Sequence, residues 1–109
     1  RILSEKKMLE EVPNADVVIT NPTHYAVALR YKDNQDNAPK VIAKGKDQFA
    51  MKIKEIAREN DIFMYENVPL ARTLYSDVEI NSEIPKELYG MVIQALILAY
   101  KHKQKEAVV

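Results

Sequence analysis

Four residues, Asn21-Pro22-Thr23-His24, stand between two apolar runs, Val17-Val18-Ile19 and Tyr25-Ala26-Val27-Ala28-Leu29. The first run is β-branched and the second alternates large and small side chains, so both read as strands. A tetrapeptide between them is a tight strand-to-strand turn, and its proline fixes one φ angle and removes one backbone donor. That turn constrains the chain more than any other feature, because it sets two strands side by side and holds an asparagine next to a proline at their junction.

The Asn-Pro pair has its own chemistry. Asparagine ordinarily deamidates when the following backbone N–H attacks the side-chain carbonyl, and Pro22 has no such N–H. The remaining five-membered ring closure runs the other way: the Asn21 side-chain nitrogen attacks the Asn21 main-chain carbonyl and expels Pro22 as a secondary amine. The chain is then cut, leaving a C-terminal succinimide. Proline also pushes Asn21 toward extended backbone, and holding nucleophile and electrophile in one residue gives effective molarities of about 10⁵ M or more when the geometry is right. An amide is a poor nucleophile and an amine a poor leaving group. His24, with an unperturbed pKa of about 6.5, suits the proton transfers, and the Thr23 hydroxyl can orient the Asn21 amide or carbonyl. Read as ordinary turn chemistry, the same tetrapeptide is inert and His24 is a satisfied neighbour.

A chain of 109 residues, 47% hydrophobic, suits one compact domain with a real core. Sixteen basic residues balance sixteen acidic ones, so charge gives no argument for nucleic acid or an anionic membrane as partner. The absence of cysteine excludes disulfides and thiolate metal sites. His24 and His102 are not at ligand spacing, so no metal and no cofactor is expected. The longest apolar stretch, Met91 to Tyr100, contains Gln94 and falls short of the roughly 20 residues that span a bilayer. The chain starts at Arg1 and not at methionine, and is read as part of a longer protein.

Residues 1–11 read as a short or linker-like helix stopped by Pro13. Strands are expected at 16–20, 25–31, 40–44 and 62–66, the second with Tyr25, Val27, Leu29 and Tyr31 on one face and Ala26 and Ala28 on the other. Residues 32–39 read as a polar surface loop, Gly45 as a strand stop and Asp47 as the cap of a helix with Phe49, Ala50, Ile53, Ile56 and Ala57 on one face. Asn60-Asp61 signals a turn, Pro69 opens a helix through Tyr75, and a last helix runs from Pro85 to about Lys103. The pattern predicts an α/β single-domain sandwich with a central, mixed, about four-stranded sheet surrounded by about four helices.

Over most of Val12 to Tyr100 the chain resembles the cytoplasmic domain of the FlhB/YscU family of type III secretion export-switch proteins, and its flagellar branch more than its virulence branch. The resemblance rests on Asn21-Pro22-Thr23-His24, Tyr25-Ala26-Val27-Ala28-Leu29, Ala38-Pro39-Lys40-Val41, Ala43-Lys44-Gly45, Ile53-Lys54-Glu55-Ile56-Ala57, Pro69-Leu70-Ala71-Arg72 and Ile84-Pro85-Lys86-Glu87-Leu88-Tyr89. It implies that residues 1–12 lead from a transmembrane part, that 13–103 form a domain at the cytoplasmic face of the bacterial inner membrane, and that 104–109 are a polar tail. It also implies single-turnover self-cleavage between Asn21 and Pro22, two fragments that stay associated, and a switch of export substrate from rod and hook to filament subunits. The implied partners are export-apparatus proteins and exported flagellar subunits, with no nucleic acid.

A switch also needs a docking surface. The last helix carries two apolar stripes: Leu88, Val92, Ala95 and Ala99 on one, and Tyr89, Ile93, Leu96, Ile97 and Tyr100 on the other. Part of the second, Ile93 and Leu96, together with Ala38 and Pro39 in the loop, is the candidate partner site; alternatively residues 1–11 or a neighbouring helix cover it. Arg72 is a candidate to hold the Asn21 loop through a carbonyl. Three function classes stand: a self-cleaving export switch of flagellar or virulence type, an interaction module with an inert turn, and a small-molecule hydrolase with His24 as base. The last lacks a nucleophile elbow or a phosphate-binding glycine pattern.

Overall fold

The computed structural model describes residues 4–33 and 35–108, with side chains through 105. Residues 1–3 of the expected first helix and Asn34 of the expected loop lie outside the described residues.

Four strands form one mixed sheet. Strands β1 (Val17–Thr20) and β2 (Tyr25–Arg30) are the antiparallel hairpin expected around the tetrapeptide, with Ile19 opposite Val27 and Thr20 opposite Ala26. Strand β3 (Lys40–Lys46) pairs antiparallel with β2, and β4 (Met64–Glu66) pairs parallel with β1, so the order is β3-β2-β1-β4. Strand β1 is therefore internal and buried along its whole length, which is why its sequence is a continuous apolar run and not an alternation.

Helices cover both faces. On one side, Val17, Ile19, Val27, Leu29 and Val41 pack against α3 (Val68–Asp77) and α4 (Tyr89–Val108) through Leu70, Leu74, Val92, Ala95 and Ala99. On the other, Val18, Ala26, Ala28 and Ala43 meet α2 (Asp47–Glu59) through Ala50, Ile53 and Ala57, and Met8 and Leu9 of α1 (Glu5–Glu11) pack on the same cluster. The small residues of β2 face α2, and its large ones face α3 and α4. This α/β/α sandwich is the architecture the sequence predicts.

Several boundaries differ from the expectation. Gly45 does not stop β3, which continues to Lys46. A Cβ on Gly45 would overlap the Phe49 ring and sit 3.0 Å from Ile53 Cδ1 and 3.2 Å from the Ala50 nitrogen, so glycine there permits a close approach of α2. Helix α4 runs to Val108 and not to about Lys103. The loop before β3 is not simply a solvated turn. Asp36 accepts from Arg30 Nε at 3.1 Å, Arg30 Nη2 at 2.9 Å and the Lys32 N–H at 2.9 Å, and the Pro39 carbonyl accepts from the Ile84 N–H at 2.9 Å. These bonds draw the loop onto the sheet.

Candidate functional site: the turn after β1

Residues 21–24 connect β1 to β2, and the Asn21 N–H closes the connection by donating to the Tyr25 carbonyl at 2.9 Å. Asn21 is buried at 4% exposure, while Pro22, Thr23 and His24 are exposed. Exposure changes there because Asn21 directly follows the internal strand, whose last carbonyl, that of Thr20, accepts from the N–H of Asn67, the cap of α3, at 3.0 Å.

Thr23 holds the Asn21 side chain from both of its donors. Its N–H donates to Asn21 Oδ1 at 3.1 Å and its hydroxyl donates to the same oxygen at 3.3 Å. This Asx-type turn occupies the amide oxygen, while Nδ2 has no hydrogen-bond partner among the described residues. Donors on Oδ1 draw electron density from Nδ2, which makes its protons more acidic and its neutral lone pair less available, so an attack by Nδ2 needs a base to take a proton.

The rest of the site comes from the start of α2. The Asp47 N–H donates to the His24 carbonyl at 2.7 Å, and its Oδ1 lies 3.2 Å from His24 Nδ1. A carboxylate only accepts, so in this contact Nδ1 carries the hydrogen and Nε2 is the basic nitrogen. Asp47 is thus not the side-chain cap expected from sequence: the cap position is Lys46, and Asp47 sits at φ 54, a left-handed conformation that aspartate tolerates better than most residues. Lys54, two turns further along α2, donates to the Asn21 carbonyl at 3.1 Å and to the Pro22 carbonyl at 3.4 Å.

Lys54 fills the role expected of Arg72. Arg72 is exposed on α3 and its guanidinium makes no hydrogen bond or ion pair among the described residues. Neither Asp47 nor Lys54 had a local sequence signal for this site. They stand 23 and 33 residues from the groups they touch, and only the packing of α2 on the hairpin brings them there.

The proposed partner surface divides. Ile93 is 47% exposed and Leu96 is half-buried on α4, but Ala38 is 3% exposed and Pro39 is also buried. The exposed-loop half of that expectation is therefore corrected: the Asp36 and Ile84 bonds turn Ala38 and Pro39 inward. Residues 4–11 do not cover the second stripe of α4 either, because α1 packs on the opposite side of the sheet. That stripe leaves Ile97 and Tyr100 exposed, with Met91 and Leu98 beside them.

A small α/β/α domain whose internal first strand is followed by a buried asparagine and an exposed Pro-Thr-His turn is a defined class of protein. The chain belongs to the family described as the FlhB HrpN YscU SpaS family, which matches residues 1–100. It is 50% identical over 105 residues to flagellar biosynthetic protein FlhB of Bacillus subtilis, covering 96% of this chain and 29% of that protein. With the protein of the same description from Helicobacter pylori it shares 51% identity over 100 residues, covering 92% and 27%. The chain thus spans less than a third of the length of these curated relatives. Among solved structures it is similar to the cytoplasmic domain of FlhB from Shewanella putrefaciens, with a TM-score of 0.90 and 41% identity over 95% of this chain and 80% of that one. A proline-to-alanine variant of the EscU C-terminal domain gives a TM-score of 0.82 and 30% identity, covering 87% and 94%. Among the described residues, no helix is long and apolar enough to cross a membrane.

Proposed function

We propose that this domain is the self-cleaving cytoplasmic part of a flagellar type III export component, anchored in the inner membrane by other parts of the protein. In this reading it cuts itself once between Asn21 and Pro22 and so takes part in the switch from rod and hook to filament export. The observation that carries the reading is the Asn21 side chain: its oxygen is held by both donors of Thr23, its nitrogen has no partner among the described residues, and the next residue is a proline that cannot take the deamidation route. Family membership supports the export setting. Solved variants of the similar EscU C-terminal domain carry mutations at an adjacent asparagine and proline, an Asn-Pro pair as in this turn.

His24 serves as the proton-transfer group, through Nε2, and Thr23 as the positioning residue. The fragments ending at Asn21 and beginning at Pro22 stay together because β1 remains hydrogen-bonded to β2 and β4 and keeps Val17, Val18 and Ile19 buried, at about 1.5–3 kcal/mol for each side chain. Exported subunits and export-apparatus proteins meet the exposed side of α4 around Ile93 and Leu96. The test is denaturing electrophoresis with mass spectrometry of the folded domain at neutral pH, without protease. Two fragments meeting at Asn21/Pro22, absent in Asn21→Ala, are expected. A single intact species after long incubation would leave the domain as an interaction module with an inert turn.

A further inference from the structure

The ammonium of Lys54 spans the bond that the proposed reaction breaks. It donates to the carbonyl on each side, Asn21 at 3.1 Å and Pro22 at 3.4 Å, and no carboxylate pairs with it among the described residues. Its place follows from the helix: Ile53 and Ala57 fix the buried face of α2, Lys54 lies at the edge of that face, and helical side chains lean toward the N-terminus, here the end beside the turn. A half-buried cation whose charge is not matched by a neighbouring acid is available to any negative charge that develops at the carbonyl it touches.

We infer that Lys54 is a catalytic residue of the cleavage, stabilising the oxyanion that forms on the Asn21 carbonyl oxygen. This rests on the self-cleavage reading above. In the step itself Nδ2 bonds to the Asn21 carbonyl carbon and gives up a proton, the carbonyl π electrons move to the oxygen facing Lys54, and a tetrahedral intermediate forms. When the carbonyl re-forms, the bond to the Pro22 nitrogen breaks and that nitrogen takes a proton. The products are a C-terminal succinimide and a proline N-terminus, with no atom gained or lost overall. Charge is neutral on the carbonyl oxygen beforehand and negative in the intermediate, so the contact strengthens along the reaction, which is what lowers a barrier.

The lack of cysteine in the chain allows a clean test. Lys54→Met and Lys54→Cys should be recovered largely uncut, cleaving about 10² to 10³ times more slowly than pulse-labelled wild type made by cell-free synthesis, with unchanged circular dichroism. Aminoethylation of the folded Lys54→Cys domain rebuilds a side chain of lysine length and charge and should restore at least a tenth of the wild-type rate, whereas capping the same thiol with neutral iodoacetamide should not. Wild-type-like cleavage in Lys54→Met would overturn the inference and leave the lysine a tether of the turn. So would slow cleavage in Lys54→Cys that aminoethylation fails to recover. A wild-type domain that never cuts is a different result, since it removes the self-cleavage reading and this inference with it.

Discussion

Asp47 meets His24 twice, through its backbone N–H on the His24 carbonyl at 2.7 Å and through its carboxylate on His24 Nδ1 at 3.2 Å. The first contact fixes where the turn ends, and the second fixes which way the imidazole faces. Both side chains are 58% exposed, so the side-chain contact is of the surface kind, about 0.2–1 kcal/mol. Asp47→Asn keeps an acceptor and tolerates the left-handed backbone, and is expected to slow cleavage by less than about fivefold. His24→Ala removes the proton-transfer group and is expected to slow it by about 10² to 10⁴. The two rates, followed by fragment appearance from pH 5 to 9, separate orientation from chemistry; equal rates for His24→Ala and wild type throughout would assign the histidine to packing.

Pro22→Ala restores a backbone N–H at the position where attack on the Asn21 side-chain carbonyl becomes possible. Cleavage should slow and deamidation at residue 21 should appear, measured by peptide mass spectrometry. A variant that neither cuts nor deamidates would argue that Nδ2 does not attack in the proposed direction.

Asp36 supplies a pH dependence that has nothing to do with the turn. Hydrogen bonds from Arg30 hold its carboxyl below the usual aspartate range, against the effect of burial, with the Lys32 N–H and the charges of Arg30 and Lys40 adding to the lowering. A depressed folded pKa contributes stability that is complete above the unfolded value, about 3.9, and is lost as pH falls through the folded value. Asp36→Asn should therefore destabilise at neutral pH, by about 1–3 kcal/mol for the broken charge-assisted bonds, and the gap from wild type should close in acid. Urea titrations between pH 7 and pH 2 measure this; a gap independent of pH would remove the charge from the explanation.

Gly45→Ala places a methyl group where the Phe49 ring now lies, near the α2 backbone at Ala50. Phe49 can turn aside, but the helix backbone yields less easily, so a loss of about 1–3 kcal/mol is expected from overpacking. Because α2 carries Lys54 and Asp47, the variant should also cut more slowly. Thermal melting and the cleavage rate are the paired measurements, and wild-type values for both would show that α2 shifts without cost.

Once cut, the domain is two chains, and unfolding it also separates them. Each tenfold dilution should then lower its unfolding free energy by about 1.4 kcal/mol at 25 °C, while the uncut Asn21→Ala domain shows no such dependence. Denaturation curves at two protein concentrations decide it. A concentration-independent midpoint in the cut form would mean that the fragment ending at Asn21 contributes no stability.

Local patterning carried the sandwich. Val17 to Ile19, the large-small alternation of β2 and the Leu88-Val92-Ala95-Ala99 stripe all appear in the fold where their periods place them. The turn residues were legible for the same reason, since Asn21, Thr23 and His24 act within a few residues of one another. What sequence could not convey was contact across the sheet. Lys54 entered the sequence reading only as part of the run Ile53 to Ala57, with no role of its own, and Asp47 matched a helix cap because aspartate before an apolar period usually is one. Arg72 was favoured by its neighbours in the chain and lost the role to a cation that packing placed nearer. Ala38 and Pro39 sit in a run of Asp and Asn that reads as solvated, and only the Arg30–Asp36 pair reveals that the run folds inward.

The placement of Lys54 and Asp47 on α2 also bears on when the proposed reaction can begin. A growing polypeptide in which residues 17–30 have emerged already contains the asparagine, the proline, the threonine and the histidine, yet the cation and the acid are encoded further downstream and reach the turn only after β3 and α2 have docked. Long-range docking is a late event compared with closing a hairpin. On that proposal the Asn21-Pro22 bond lacks its helpers until β3 and α2 are in place, and cleavage would report that the hairpin and the α2 layer have assembled, a clock started by that docking and not by translation.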